Sequence, residues 1–458
     1  MYFLPTHPSL TSADPLGVCD ADLDRVPQAA VLDCLMKTAQ EKLPEDSIQA
    51  LSNLIQDVVY SLHGNGDGRT YNLNQVLNDL VASRDFDVHK SLQSVIQAAQ
   101  NLSSSWPDGT ITHLGEDSCE RIECSGDQVN SLLAHQVLGS LAQPSKSTYD
   151  IQCFTFWYGA GLLHPKAVSG YIEIIFDHFV RGGYSADENF AFSSRTASDM
   201  PDIQQSDEIP QFEVITVSEE SEPSQLPPDT KNPPFVLVAA NAQPGPGQTA
   251  THEERLQANA PALCLSAILC PLLAESEAVI TSAFPVHGTW KGHNRTARLE
   301  QLFPTDQRPL RHYILADALE MDGQGWEDLD DAGYLPDLYP ANISREIKKL
   351  YAAFAGAKAE AARAGYEECI IEAPAWGCGA FGGNTLAKSV LMMIAAGLTG
   401  VKVQLALLEK RKKEVEAVRT IVEKGWSVKE LSRRITSAGT RKCTETDELF
   451  EALMSPDF

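Results

Sequence analysis

Two stretches of this sequence share one layout: a short apolar run, a glycine-rich loop, and the opening of a helix. The first runs Phe235-Val236-Leu237-Val238-Ala239-Ala240, then Pro244-Gly245-Pro246-Gly247, then Thr251-His252-Glu253-Glu254-Arg255. The second runs Cys369-Ile370-Ile371-Glu372-Ala373, then Trp376-Gly377-Cys378-Gly379-Ala380-Phe381-Gly382-Gly383-Asn384. Apolar runs this short, bounded by turn residues, read as buried strands. A glycine loop between strand and helix aims backbone N–H groups at an anion, with the positive end of the helix behind them. Two such units in one chain point to an α/β sheet and can hold a diphosphate from both sides. The first also sets two adjacent carboxylates where its helix begins. The combination predicts chemistry on a nucleotide diphosphate sugar.

The rest of the chain supplies that sheet with partners. Residues 28 to about 104 carry apolar positions at helical spacing: Ala29, Val31, Leu32, Leu35 and Met36, then Ile48 to Leu62, then Leu73 to Val81. Gly64-Asn65-Gly66-Asp67-Gly68 interrupts them and reads as a turn. A helix capped by Ser125 and another after His164-Pro165 follow. Further strands are expected at 212–217, 278–282, 311–318 and 401–407. Helices are expected at about 344–364 and 384–397, with others near the C-terminus. The stretch 218–234 is polar, acidic and proline-rich, a loop. Strands separated by helices predict a mixed sheet flanked by helices, with an N-terminal helical region.

Charge excludes some partners. The 458 residues include 62 acidic and 36 basic side chains, a net charge of −26. Such a surface repels duplex nucleic acid and anionic membranes, so a polyanionic ligand has to be met locally by backbone amides. The ten cysteines form no C-x-x-C pair and no zinc-spaced set with histidine, which suits buried thiols in a reducing compartment. The opening residues lack a basic segment and an apolar core, and no apolar run reaches spanning length. A nuclear or cytoplasmic location is expected. Lys410-Arg411-Lys412-Lys413 reads as a solvated helix start in preference to a nuclear address.

Glu253 and Glu254 carry the chemical expectation. Two neighbouring carboxylates in a dry site cannot both ionise cheaply, so one becomes a usable general acid. Cleaving a glycoside of ribose needs that role, because the departing oxygen has to be protonated as the sugar gains oxocarbenium character. The same Glu-Glu pair also suits a solvated first turn. The second loop reads equally as a tight turn, and Cys378 as a small buried thiol.

Together these segments resemble the catalytic domain of eukaryotic-type poly(ADP-ribose) glycohydrolases, a macrodomain with added helices. Trp376 to Gly383 reproduces the family segment W-G-C-G-A-F-G-G without change. Gly245-Pro246-Gly247, four residues, then His252-Glu253-Glu254 is similar to the family's three glycines, six to eight residues, then Gln-Glu-Glu. Val236 to Asn241, Trp290 to Thr296 and Ile314 to Leu319 resemble further family segments. The resemblance divides the chain into a helical accessory region, 1–124, and a catalytic domain, 125–458. It implies hydrolysis of ribose–ribose bonds in poly(ADP-ribose), with Glu254 as acid and base. Glu253 and Asn241 would hold hydroxyls of the ribose being cleaved. Gly245, Gly247, Gly377, Gly379, Ala380 and Phe381 would bind the diphosphate and distal ribose. His252, His293 and Leu407 fall on the loop and adenine side, where the family has glutamine, tyrosine and phenylalanine. No metal or cofactor is implied, and the partners are ADP-ribose polymer and ADP-ribosylated proteins, met by a monomer. Two other readings stay open: an ADP-ribose-binding macrodomain without activity, and a hydrolase of mono-ADP-ribose.

Overall fold

The computed structural model describes all residues except 20–23, 43–45, 65–69, 85, 117–118, 142–152, 219–231, 322–332 and 456–458. Most of the acidic loop expected at 218–234 and most of the turn expected after Gly64 lie outside the described residues. The chain forms two compact units, each built from several stretches. One comprises Met1–Ala191, Gly245–Pro271 and Val286–Arg308; the other comprises Phe192–Pro244, Leu272–Pro285 and Pro309–Phe458. The boundary expected between residues 124 and 125 falls within the first unit.

The first unit is mainly helical: Gln28–Lys42, Ser47–His63, Tyr71–Arg84, Val88–Gln100, Gly126–Leu138, Pro165–Val180 and His252–Asn259. Local chemistry sets the ends. Asp46 accepts from the amides of Ile48 and Gln49, and Gly64, at φ 72°, ends the same helix. Ser125 and Gln128 form a reciprocal capping box: the Gln128 amide donates to Ser125 Oγ at 3.3 Å, and the Ser125 amide to Gln128 Oε1 at 2.9 Å. An antiparallel hairpin, Gly288–Lys291 with Arg298–Leu302, completes the unit. Its second strand is mostly exposed and shows no apolar alternation.

The second unit holds the sheet. The strand order is Asn189–Thr196 (from Phe192 on), Glu277–Thr281, Leu310–Asp317, Phe235–Ala240, Ile370–Ala373, Lys402–Leu408 and Gln211–Val217. The five strands from Leu310–Asp317 to Gln211–Val217 pair in parallel, and the first two join antiparallel, so the sheet is mixed, as expected. Helices Pro340–Ala364 and Thr385–Thr399 pack on one another and on these strands. Their apolar residues join one core that includes Phe235, Leu237, Ile314, Ile371, Val403 and Leu405. The strand Asn189–Thr196 escaped the sequence reading because its sequence, NFAFSSRT, has no clean two-residue period.

A buried ionic cluster lies inside this core. Lys388 Nζ donates to Glu346 Oε2 at 2.5 Å and lies 3.4 Å from Asp337 Oδ1. Lys349 reaches Asp317 Oδ1 at 2.6 Å, and Arg345 pairs with both Asp317 and Glu346. These charges are tolerable because each is matched by an opposite charge and by hydrogen bonds. Through them the end of strand Leu310–Asp317 is fastened to both helices.

Candidate active site

The first glycine loop connects strand Phe235–Ala240 to helix His252–Asn259. Glu253 is buried, and its Oε1 accepts from the Gly245 amide at 3.1 Å and from Gln257 Nε2 at 3.0 Å. Its carboxylate therefore fixes the start of the loop in addition to any part it takes in binding. Glu254 is half-buried and accepts a hydrogen bond from the Thr251 hydroxyl. Burial pushes its carboxyl above the ordinary range, against the opposing pull of hydrogen bonds at the helix start and the Arg255 charge.

Gly247 stands against this carboxylate. A Cβ placed there would lie 2.6 Å from Glu254 Oε1 and 3.0 Å from its Cγ. Its φ is not left-handed, so the requirement is for close approach rather than for backbone freedom. The Gly247 carbonyl accepts from Trp157 Nε1, and the Thr249 carbonyl accepts from the Tyr171 hydroxyl. Neither aromatic residue was singled out in the sequence, which carries no local signal for bonds made to backbone carbonyls 90 and 78 residues away.

His252 and His293 lie close enough for their charges to interact. Burial, followed by the Arg255 and His293 charges, pushes the His252 imidazole down to about 3, so this ring is neutral at physiological pH. His293 sits in the turn of the hairpin, its amide donating to Thr296 Oγ1 at 3.0 Å. Trp290 is a buried strand residue whose ring meets that of Tyr171.

The remaining expected residues belong to the second unit. Asn241 follows strand Phe235–Ala240 directly and is exposed, and its Oδ1 accepts from the Gln243 amide at 3.0 Å. Leu407 is fully buried in the apolar core.

The loop Trp376–Gly383 is anchored at its base and open at its crest. Trp376 Nε1 donates to the Ala316 carbonyl at 2.8 Å, and the Gly383 amide donates to the Gly377 carbonyl at 2.9 Å. Gly377 has φ 72°, and a Cβ there would meet Ala318 Cβ at 2.6 Å, so both conformation and space demand glycine. Lys388 lies 5.2 Å from the Trp376 ring centroid, tying the loop to the ionic cluster. Gly379 and Ala380 are exposed and Phe381 is half-buried. Among the described residues, none accepts a hydrogen bond from the amides of these three. Exposed N–H groups in a glycine loop ahead of a helix are the general setting in which backbone binds an anion. Cys378 is the buried thiol expected, pushed up to about 12 chiefly by burial.

Residues 230–415 match the family described as poly (ADP-ribose) glycohydrolase (PARG), macro domain fold, which is the family expected from the motifs. No curated protein matches the sequence significantly. Among solved structures, one that is similar is a point mutant of poly(ADP-ribose) glycohydrolase from Deinococcus radiodurans in complex with ADP-ribose. It is 15% identical over 51% of this chain and 94% of its own, with a TM-score of 0.35. The glycohydrolase from Thermomonospora curvata is 14% identical over 50% of this chain and 85% of its own, TM-score 0.34. An Oceanobacillus iheyensis macrodomain with ADP is 15% identical over 51% of this chain and 98% of its own, TM-score 0.30.

Proposed function

We propose, from the premise that residues 230–415 are a poly(ADP-ribose) glycohydrolase catalytic segment of macro domain fold, that this chain hydrolyses the ribose–ribose O-glycosidic bond of poly(ADP-ribose) and releases ADP-ribose. The observation that carries this reading is the setting of Glu254. It is a half-buried carboxyl at a helix start, against the bare Cα of Gly247, and burial helps it keep its proton. In the reaction Glu254 gives that proton to the departing ribose oxygen as the C1–O bond breaks. The carboxylate then takes a proton from the water that adds to C1. A pure reader of ADP-ribose has no need of a carboxyl so disposed.

Glu253 and Asn241 are assigned to the hydroxyls of the ribose being cleaved. The amides of Gly379, Ala380 and Phe381 are assigned to the diphosphate, with the Phe381 ring over the distal ribose. The exposed crest of that loop, whose amides have no acceptor among the described residues, supports this assignment. His252, neutral at physiological pH, adds no charge to the loop side.

Purified protein incubated with poly(ADP-ribose) should release ADP-ribose as its product, identified by mass spectrometry. Polymer bound but unchanged would establish the reader instead. Activity confined to mono-ADP-ribosylated protein would establish the mono-ADP-ribosyl hydrolase.

A further inference from the structure

Two side chains outside the family-matched segment grip the loop that walls Glu254. Trp157 lies in the 3-10 turn Thr155–Trp157, and Tyr171 lies within helix Pro165–Val180. Trp157 Nε1–H donates to the Gly247 carbonyl at 2.9 Å, and the Tyr171 O–H donates to the Thr249 carbonyl at 2.8 Å. The two bonds straddle Gln248, so they fix both the position and the direction of this part of the loop.

The donors themselves cannot wander. Trp157 and Tyr171 are 1% and 0% exposed. The Trp157 ring stacks on Phe154, with centroids 4.4 Å apart and planes 1° from parallel, and meets Tyr171 at 5.4 Å. Tyr171 in turn meets Trp290 at 5.3 Å. Gly170 makes room for that contact, since a Cβ there would lie 2.8 Å from the Trp290 ring. Four aromatic rings thus form a rigid rail with two hydrogen-bond donors aimed at the loop. The Gly247 carbonyl takes one of these bonds, while the Gly247 Cα is the surface on which the Glu254 carboxylate lies. A shift of that carbonyl moves the wall of the carboxylate and the space open to water around it.

We propose that Trp157 and Tyr171 are positioning residues for the hydrolysis, setting the geometry and the dryness of Glu254 through the Gly247–Thr249 segment. This rests on the assignment of Glu254 as the acid. It also means that residues 230–415 do not contain everything their own chemistry needs.

Trp157→Phe keeps an aromatic ring and removes the N–H, and Tyr171→Phe removes one hydroxyl. Both are to be tested in the full chain. Each should lower kcat on the polymer about tenfold, on the scale by which slight misplacement slows catalysis, with KM little changed. Water admitted around Glu254 should return its carboxyl toward the ordinary range. The alkaline limb of the kcat profile should therefore move down by about half a pH unit or more, which a merely structural role would not cause. Hydrogen exchange of the 245–251 peptide should quicken in both variants, while that of strand 235–240 stays unchanged. Wild-type kcat with an unmoved limb in both variants overturns the proposal. If Trp157→Phe fails to fold, Tyr171→Phe decides by itself. If the wild-type protein does not hydrolyse the polymer, the proposed function falls. The exchange measurement still decides the grip, and unchanged 245–251 exchange in both variants overturns it.

Discussion

Glycine at position 247 is required by a neighbour and not by its backbone, so Gly247→Ala separates catalysis from folding. The added methyl would displace the end of the Glu254 side chain, 2.6 Å away. A flexible side chain yields at little cost to stability, yet the carboxyl is then misplaced. We expect kcat to fall about tenfold or more with a melting temperature within a few degrees of wild type. A variant with full activity would show that Glu254 does not work from its observed position. The elevated Glu254 carboxyl has a second consequence. Its folded-state pKa lies above the unfolded value, so the folded protein binds more protons between the two, and stability falls as pH rises through that window. Glutamine carries no charge to desolvate. Glu254→Gln should therefore be more stable than wild type at pH 8, with the advantage vanishing below about pH 4, near the ordinary carboxyl pKa. Thermal unfolding across this range checks it, and a pH-independent difference would contradict it.

At the level of elements, the loop Trp376–Gly383 should bind phosphate through its crest. A Cβ at Gly379 has nothing within 4 Å, so a valine is accommodated by the fold and stands where a ligand would approach. Calorimetry should show Gly379→Val weakening ADP-ribose binding about tenfold or more while the melting temperature holds. Unchanged affinity would make the loop structural. Elements of this kind were legible in the sequence because strand, glycine loop and helix follow one another locally. Phe235–Ala240, Ile370–Ala373 and the two glutamates after the loop could all be read directly. The strand Asn189–Thr196 could not be, since its pairing is decided by a partner distant in sequence, and neither could the hairpin Gly288–Leu302, whose second strand carries no apolar alternation. The same holds for the site. Its glycines and carboxylates announce themselves, whereas Trp157 and Tyr171 act through bonds to backbone carbonyls, which leave no mark on residue type. Leu407 shows the converse: a position aligned with a family aromatic is, in this fold, part of the core.

For the molecule as a whole, the net charge of −26 sets the terms on which a polyanion is met. Long-range repulsion should slow encounter with the polymer at low ionic strength. Raising salt from about 10 mM to 150 mM shortens the screening length from about 30 Å to 8 Å, so kcat/KM on the polymer should rise. A fall over that range would reveal a basic track along the polymer. Repulsion also suits attack at a chain end, where fewer phosphates approach the surface. The decisive comparison is of wild type and Glu254→Gln on the same polymer, with released ADP-ribose quantified and ADP-ribose affinity measured in parallel. The expected result is turnover by wild type, a loss of about 10²-fold or more in the variant, and affinity preserved within a few-fold. Turnover by Glu254→Gln within a few-fold of wild type would contradict the assignment of Glu254 as the acid.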